Sequence, residues 1–169
     1  KYQKNAWIIL TELALPKIDK DTILRKDQIV SHLKKFTKDE NILSENEEIK
    51  PYETDGLAAY KQTPLAVVLP ENTKEVSEIL KFCNEENIKV IPRGAGTGLS
   101  GGALPLQDAI LLGLGKFNKI LEIDFENKCV VTQPGVTNLG ITHAVQHKGY
   151  YYAPDPSSQL ACSIGGNVA

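Results

Sequence analysis

The residues best suited to chemistry lie in one glycine-rich stretch, RGAGTGLSGG, which runs from Arg93 to Gly102 and contains no acidic residue. Glycine admits positive φ angles and lets a ligand approach the main chain, at a cost in conformational entropy. Successive N–H groups that point inward can form an anion-binding nest, and the hydroxyls of Thr97 and Ser100 add donors. Arg93 could supply positive charge at the edge of the loop or form a surface ion pair. The stretch is therefore either an anion-binding loop, with phosphate as the typical ligand, or a plain surface linker.

The segment GTGLSG, Gly96 to Gly101, also satisfies the GxGxxG pattern of nicotinamide-dinucleotide folds, with Asp124 as a candidate ribose ligand. That fingerprint requires a helix to begin inside the motif, because the pyrophosphate lies at the helix N-terminus. Gly102 and Pro105 oppose a helix here, and the apolar run AILLGL indicates that a strand follows. The sequence therefore disfavours a Rossmann fold, and no GK[ST] sequence follows that would make a Walker A loop.

A second polar segment, APDPSSQLACSIGGNVA, lies at the end of the sequence. Pro154, Pro156 and the Gly165–Gly166 pair predict non-repetitive backbone. The polar side chains held there are Asp155, Ser157, Ser158, Ser163 and Asn167. Taken alone, the segment is interpreted as an irregular loop; beside a phosphate-binding loop it could form the other wall of a cofactor site.

The histidines and cysteines point to structural roles. His143 and His147 have the spacing of two metal ligands, but HAVQH lacks the glutamate of HExxH. Ile141 and Val145 mark a roughly opposite apolar face, so both imidazoles are expected to face water. The three widely spaced cysteines favour a reduced setting over a disulfide framework or a zinc site, and Cys162 is expected to be a small buried residue. The sequence predicts no metal site and no catalytic residue.

The elements that must position the glycine loop follow a β-α-β pattern. Leu65 to Leu69 is a short apolar run between prolines, typical of a buried strand. Asn72 and Glu75 predict a capping box at the start of a helix. The apolar face of that helix would comprise Val76, Ile79, Leu80 and Cys83. IKVIP predicts the next strand, so the glycine loop would join two strands.

The flanking segments complete an α+β fold class. KILEIDFENKCVVTQPG predicts a hairpin that turns at Glu126–Asn127, and Thr137 to Lys148 predicts a helix ending at Gly149. Apolar spacing from Ile23 to Phe36 predicts an amphipathic helix, and the polar stretch from Thr37 to Lys50 is expected to be a loop or a weak turn of helix. Residues 1–50 are therefore interpreted as an N-terminal helical leader segment and residues 51–169 as the main domain.

Composition gives few further constraints. A chain of 169 residues can bury a genuine core, and a net charge of −2 gives no electrostatic case for nucleic acid or an anionic membrane. No apolar run approaches the ~20 residues that cross a bilayer. The N-terminal run faintly resembles a signal sequence, but Glu12 interrupts it, so a cytoplasmic location is expected. The sequence begins with Lys1 rather than Met, and its last residues lie within a motif. The chain is therefore expected to be a fragment of a longer protein.

Together, RGAGTGLSGGALP, QPGV at Gln133 and YYAPDPSSQLACSIGGNVA resemble the FAD-binding half of the glycolate oxidase subunit and D-lactate dehydrogenase family. These flavoproteins carry the FAD-binding type 4 domain, of the vanillyl-alcohol-oxidase or PCMH type. The segment YETDGLAAYKQTPLAVVLP is also similar, so the resemblance covers residues 51–169. It implies two α+β subdomains with FAD extended between them, truncated here and without the substrate domain.

The resemblance also implies a set of FAD-binding residues. Residues 94–102 would wrap the pyrophosphate, Pro134 and Gly135 would approach the cofactor, and the C-terminal segment would line its flavin and adenine sides. The full set is Arg93, Gly94, Ala95, Gly96, Thr97, Gly98, Leu99, Ser100, Gly101, Gly102, Pro134, Gly135, Pro154, Asp155, Pro156, Ser157, Ser158, Cys162, Ser163, Ile164, Gly165, Gly166, Asn167 and Ala169. Some relatives tether FAD covalently through a histidine in this loop; since the loop here has none, non-covalent FAD is expected.

The activity implied by the resemblance is an FAD-dependent dehydrogenase or oxidase that oxidises a D-2-hydroxy acid, such as glycolate or D-lactate, by hydride transfer to flavin N5. In the family the base and the carboxylate-binding groups lie in a C-terminal substrate domain that nothing here matches, so the chain alone is expected to be inactive. An iron–sulfur subunit is the implied electron acceptor, with peripheral association at the inner face of the membrane. The alternatives are a flavoenzyme of the same fold with another substrate and a non-catalytic FAD-binding module.

Overall fold

The computed structural model describes residues 16–169, so the N-terminal apolar run around Glu12 lies outside the described residues. The strands are β1 (Ile42–Leu43), β2 (Ala66–Val68), β3 (Lys89–Arg93), β4 (Ala109–Gly113), β5 (Ile120–Asp124) and β6 (Cys129–Thr132). The helices are α1 (Lys20–Leu24), α2 (Lys26–Leu33), α3 (Asn46–Ile49), α4 (Thr73–Glu85), α5 (Asn138–Val145) and α6 (Ile164–Val168). Mixed helices and sheets confirm the predicted α+β class. No helix within residues 16–169 is both long and apolar enough to cross a membrane.

The larger sheet has the strand order β1-β2-β4-β3. Strands β2, β4 and β3 run parallel, whereas β1 pairs antiparallel with β2. Helix α4 connects β2 to β3, which confirms the predicted β-α-β unit, and β4 lies between the two strands. Half of the predicted capping box is present, because the side chain of Asn72 accepts a hydrogen bond from the amide of Glu75. The carboxylate of Glu75 accepts from the amide of Glu71 and not from that of Asn72, so the reciprocal bond was predicted wrongly. Since β3 is an edge strand, the glycine loop leaves the sheet at its border.

Both faces of this sheet are covered. Helices α2 and α4 pack on one face through the buried residues Ile29, Leu33, Ile79, Phe82 and Cys83. On the other face, Ile49 of α3 packs against Val67 and Leu111. The prediction that Leu80 belongs to the apolar face of α4 was wrong, since Leu80 is 44% exposed and Phe82 is buried instead. From Ile79, steps of three and four residues return to the same face of a helix, whereas the next residue does not.

Two predictions for the first described segment were wholly or partly wrong. The single helix expected from Ile23 is divided at Arg25, whose backbone is not helical and whose side chain bonds to Glu86. The prediction of a loop or a weak turn of helix from Thr37 to Lys50 missed the strand β1, whereas the four-residue helix α3 agrees with it. Helix α3 begins with a capping box whose N-cap is Glu45, outside the usual Ser, Thr, Asp and Asn set. The boundary at residue 50 stays a prediction, although α2 and β1 pack on the same core as β2 and β4.

The smaller sheet is the predicted hairpin of β5 and β6. Asp124 accepts hydrogen bonds from the amides of Glu126 and Asn127, so it forms the turn rather than a ribose site. Helix α5 follows with Thr137 as N-cap, and the chain leaves it through Gly149 at φ 78°, as predicted. The prediction of non-repetitive backbone at residues 163–167 was wrong, because these residues include the short helix α6.

Candidate cofactor-binding site

The glycine loop and the C-terminal segment line one cleft with a volume of about 640 Å³. This lies within the range of roughly 300–1,000 Å³ that is usual for ligand sites. The loop leaves β3 at Arg93 and the chain returns in β4 at Ala109, beside β3 and parallel to it. No helix begins between them. This confirms a strand-to-strand loop and removes the basis for a Rossmann site.

Most of the predicted cofactor-binding residues surround this cleft. Those that line it are Arg93, Gly94, Ala95, Gly96, Thr97, Gly98, Leu99, Ser100, Gly102, Pro134, Ser158, Cys162, Ser163, Gly165, Gly166, Asn167 and Ala169. Those outside its lining are Gly101, Gly135, Pro154, Asp155, Pro156, Ser157 and Ile164. The lining also includes Pro92, Ala103 and Leu114, which the sequence did not single out. Contact of any of these residues with a cofactor stays a prediction.

The backbone of the glycine loop presents unpaired donors. Within the described part of the chain, none of the N–H groups from Gly94 to Ala103 donates a hydrogen bond to another protein group. The next amide, that of Leu104, donates to the carbonyl of Gly101 at 3.2 Å. Since all of these residues are half-buried or exposed, water or a ligand can reach their amides. A run of unpaired amides beside a cleft therefore fits a multiply charged anion such as a pyrophosphate.

Positive φ angles at two glycines shape this loop. Gly96 has φ 71° and Gly101 has φ 76°, a conformation that side chains rarely adopt. At Gly94 a Cβ atom would overlap the hydroxyl of Ser163, so the loop touches the opposite wall at this point. Gly98 and Gly102, by contrast, have open space where a Cβ would stand.

Arg93 contacts both the end of the loop and residues 52–54. One guanidinium nitrogen donates to the carbonyl of Thr54 at 2.7 Å and lies 3.5 Å from that of Ala103. The guanidinium also lies 5.7 Å from the ring centroid of Tyr52. Burial lowers the pKa of Arg93, whereas the negative charge of Asp55 acts in the opposite direction. Arginine remains charged in proteins, so these contacts keep a cation under the loop.

The opposite wall is fixed by the segment that begins α5. The amide of Ile164 donates to the carbonyl of Val136, and the amide of Gly165 to that of Pro134, both at 2.8 Å. These tertiary hydrogen bonds stabilise α6 despite its two glycines, which oppose helix formation. The amide side chain of Asn138 donates to the carbonyl of Pro154 at 3.0 Å. Asn138 is 1% exposed, so it ties the start of the C-terminal segment to α5.

The PDPSS run, residues 154–158, leads into a tight turn. The carbonyl of Ser158 accepts from the amides of Ala161 and Cys162, both at 2.8 Å. This turn directs Ser158 toward the cleft and leaves Asp155 and Ser157 exposed, away from the lining. Ser158 is consequently the one residue of the PDPSS run that the structure brings to the cleft.

The other ionisable groups lie elsewhere. His143 on α5 and His147 in the 3₁₀ turn that follows it are both exposed, as predicted, and the cleft lining described above contains no histidine. Within residues 16–169 no three His, Cys, Asp or Glu side chains are grouped to hold a metal ion. Cys83 and Cys162 are buried and Cys129 is exposed. Burial raises the pKa of the Cys83 thiol to about 11.

Comparison with known proteins agrees with this site. A family model described as an FAD binding domain matches residues 64–169. The chain is 49% identical over 156 residues to the glycolate oxidase subunit GlcD of Escherichia coli strain K12, which covers 92% of the chain and 30% of that protein. It is 41% identical over 116 residues to a D-lactate dehydrogenase of Anaerostipes hadrus, which covers 68% of the chain and 24% of that protein.

A solved structure shows the same fold. The chain superposes on 4-ethylphenol oxidase from Gulosibacter chungangensis with a TM-score of 0.75 at 25% identity, over 91% of the chain and 30% of that protein. The chain thus spans 24% to 30% of the length of these relatives. Because the family model covers more than half of the sequence, including both walls of the cleft, the chain belongs to the FAD-binding domain family.

Proposed function

We propose that the chain supplies the FAD-binding part of an enzyme that oxidises a small 2-hydroxy acid of the glycolate or D-lactate type. The observation that carries this proposal is the run of unpaired amides from Gly94 to Ala103 beside a cleft of about 640 Å³. A row of backbone donors without side chains in the way is suited to the pyrophosphate of FAD. The similarity to the glycolate oxidase subunit and to D-lactate dehydrogenase supports the substrate class. When bound, FAD supplies a hydride acceptor at flavin N5.

The two walls would divide the work of holding the cofactor. Loop amides, with the hydroxyls of Thr97 and Ser100, would bind and orient the pyrophosphate. Ser158 and Asn167 would donate or accept hydrogen bonds from the opposite wall, since both line the cleft. The residues of the cleft thus bind and orient, and no residue of the described chain is assigned a proton-transfer role.

FAD should be dissociable, because the loop and the rest of the described cleft lining offer no histidine for a covalent link. Acid precipitation of the loaded protein should leave the flavin in the supernatant. Flavin that stays with the pellet would contradict dissociable binding.

The electron acceptor and the location of the whole protein follow from the same proposal. One relative is named as a subunit of glycolate oxidase, which supports a multi-subunit enzyme. The acceptor in our proposal is an iron–sulfur subunit. Such a partner could hold the protein peripherally at the inner face of the cytoplasmic membrane. Co-purification of the full-length polypeptide should recover an iron-containing subunit; recovery of the polypeptide alone with full activity would contradict this.

A flavin titration tests the central part of the proposal. Added FAD should be bound saturably by the purified chain, with a change in the visible flavin bands, while NADH should not bind. Saturable NADH binding without FAD binding would overturn the assignment. We expect glycolate and D-lactate not to bleach flavin bound to this chain alone, but to bleach it in the full-length polypeptide. Failure of both acids in the full-length polypeptide would refute the substrate class.

A further inference from the structure

The glycine loop has a back face, turned away from the cleft, and residues 52–57 lie against it. We call these residues the brace. A Cβ atom on Gly56 would lie 2.7 Å from the carbonyl oxygens of Thr97 and Gly98, so the two backbones are in direct contact. A Cβ on Gly101 would lie 3.8 Å from the side chain of Leu57. The brace precedes residue 64, where the match to the FAD-binding family model begins.

The contact between Gly56 and the loop carbonyls determines the direction in which two loop amides point. The described backbone has no cis peptide bond, so each carbonyl points opposite to the N–H of the same peptide unit. Because the carbonyls of Thr97 and Gly98 face Gly56, the N–H groups of Gly98 and Leu99 face away from the brace. These two amides lie in the unpaired run that lines the cleft.

Arg93 joins the brace to the loop. Its guanidinium occupies the space beneath Gly96: a Cβ there would overlap one terminal nitrogen and lie 2.5 Å from the central carbon. The same group donates to Thr54 in the brace and approaches Ala103 at the end of the loop. One terminal nitrogen lies near both carbonyls and the other lies beneath Gly96, so the planar guanidinium spans the brace and the loop, which a lysine ammonium cannot do with the same geometry.

Asp55 supplies the countercharge for Arg93. Its carboxylate is 6% exposed, and one oxygen accepts from the amide of Leu57 at 2.9 Å. The other oxygen has no donor among the described residues, and the negative charge acts on Arg93. Asp55 therefore offsets part of the positive charge of Arg93, although the two side chains form no ion pair within 4 Å.

We propose that the brace and Arg93 form one positioning unit, which turns the loop amides toward the cleft, and that Arg93 is not itself a ligand of the pyrophosphate. The proposal rests on the proposed function of the cleft as an FAD site. It assigns Gly56 and Arg93 to cofactor binding through the loop they hold.

Loop order without cofactor gives the first test. Thermolysin cleaves before exposed leucines, and Leu99 is 73% exposed at the tip of the loop. In the full chain, Gly56→Ala, Arg93→Gln and Arg93→Lys should each speed cleavage before Leu99 by about tenfold, the effect of losing one well-placed contact. The controls Gly115→Ala, where a Cβ meets open space, and Arg25→Gln, in an exposed ion pair, should cleave like the wild type. Unchanged cleavage rates in Gly56→Ala, Arg93→Gln and Arg93→Lys would overturn the proposal.

FAD affinity gives the second test. Both substitutions of Arg93 should raise the Kd for FAD by a similar factor of about ten. In the double variant Gly56→Ala/Arg93→Gln, the Kd should rise by less than the product of the factors for the two single variants. A wild-type Kd in Arg93→Lys would instead identify Arg93 as a charge that contacts the ligand. If the wild type binds no FAD, the proposed function fails while the cleavage rates still decide whether the brace orders the loop. Should Gly56→Ala not fold, the two variants of Arg93 decide the question.

Discussion

The two walls of the cleft use the same residue types in opposite ways. From Gly94 to Ala103, the described chain offers no hydrogen-bond partner to any backbone N–H. In the opposite wall, the amides of Ile164, Gly165, Asn167 and Ala169 all donate to protein carbonyls at 2.8 to 3.0 Å. The backbone amides of the glycine loop are therefore free to bind a ligand, whereas the named amides of the other wall are already hydrogen-bonded within the protein.

The glycines show the same division. A Cβ at Gly98 would meet open space, whereas a Cβ at Gly165 would lie 2.5 Å from a side-chain atom of Pro134. Glycine in the loop keeps the approach to the main chain clear, and glycine in α6 permits close packing. Substitution should therefore separate the two walls: changes in one should lower stability, and changes in the other should lower ligand affinity.

The largest effect is expected beneath the second wall, at Gly135. An added Cβ would lie 2.6 Å from the carbonyl oxygen of Phe117 and closer still to that of Leu114, and backbone atoms cannot move aside cheaply. Gly135→Ala should lower the free energy of unfolding by about 3 kcal/mol in a urea titration. Gly115→Ala is the matched control, and equal stability of the two variants would contradict the packing assignment.

The next effect concerns Asp108, which anchors the end of the glycine loop where β4 begins. Its carboxylate is 2% exposed and accepts from the ammonium of Lys89 and the amide of Asp19, both at 2.6 Å. Asp108→Asn should lower the free energy of unfolding at pH 7 by about 2 kcal/mol, because one charged partner stays behind.

The pH dependence of that loss follows from the pKa of Asp108. Burial would raise this pKa, but the hydrogen bonds from Lys89 and Asp19 outweigh burial and hold it below the usual value. A lowered folded-state pKa stabilises the fold above the unfolded-state value of about 3.9, and this contribution disappears as the pH falls through the folded-state pKa. The difference between wild type and Asp108→Asn should thus shrink below about pH 4. A constant difference down to the acid transition would contradict the ion pair.

A smaller effect on stability is expected at Gly98. Gly98→Ala should change the free energy of unfolding by less than about 0.5 kcal/mol, since its Cβ meets no protein atom. The Kd for FAD should nevertheless rise by about tenfold, because the methyl group stands where the ligand approaches the backbone. Gly165→Ala should behave in the reverse way, with a loss of about 2 kcal/mol from its contact with Pro134. Equal effects of Gly98→Ala and Gly165→Ala on the free energy of unfolding and on the Kd for FAD would contradict the distinction between the walls.

The smallest expected effect is a difference in reaction rate among the three thiols. One of the three cysteines, Cys129, is exposed and should react quickly with a disulfide reagent at pH 8. Cys83, whose pKa burial raises to about 11, should react slowly because little thiolate is present. Cys162 is buried in the second wall, so its reaction should speed up in Gly165→Ala. Fast reaction of all three thiols in the wild type would contradict the burial of that wall.

Much of the fold could be predicted because local signals agreed with tertiary structure. The strands β2 to β6, the Asn72 cap and the Gly149 helix end all follow from short patterns in the sequence. Helix α6 could not be predicted, because its stability depends on hydrogen bonds from Ile164 and Gly165 to carbonyls of a distant segment. The same holds for β1, a strand of two residues that exists through its pairing with β2.

The parts of the site that depend on a sequence motif could be predicted, whereas the parts that depend on tertiary packing could not. The glycine pattern predicted an anion-binding loop, and the structure adds which amides are unpaired. Arg93 was expected at the edge of the loop or in a surface ion pair, yet its guanidinium lies beneath Gly96. No spacing rule connects Gly56 with Thr97, since their contact depends on how residues 52–57 cross the back of the loop.

The central claim is that the unpaired amides of the glycine loop bind the pyrophosphate of FAD. A direct test is the set of backbone amide chemical shifts of the ¹⁵N-labelled chain during titration with FAD, and with pyrophosphate as a simpler probe. We predict downfield proton shifts concentrated in residues 94–103, with smaller changes at Ile164 and Gly165, whose amides are already bonded to protein. Saturable FAD binding that shifts the amides of α6 and leaves residues 94–103 unchanged would contradict the account.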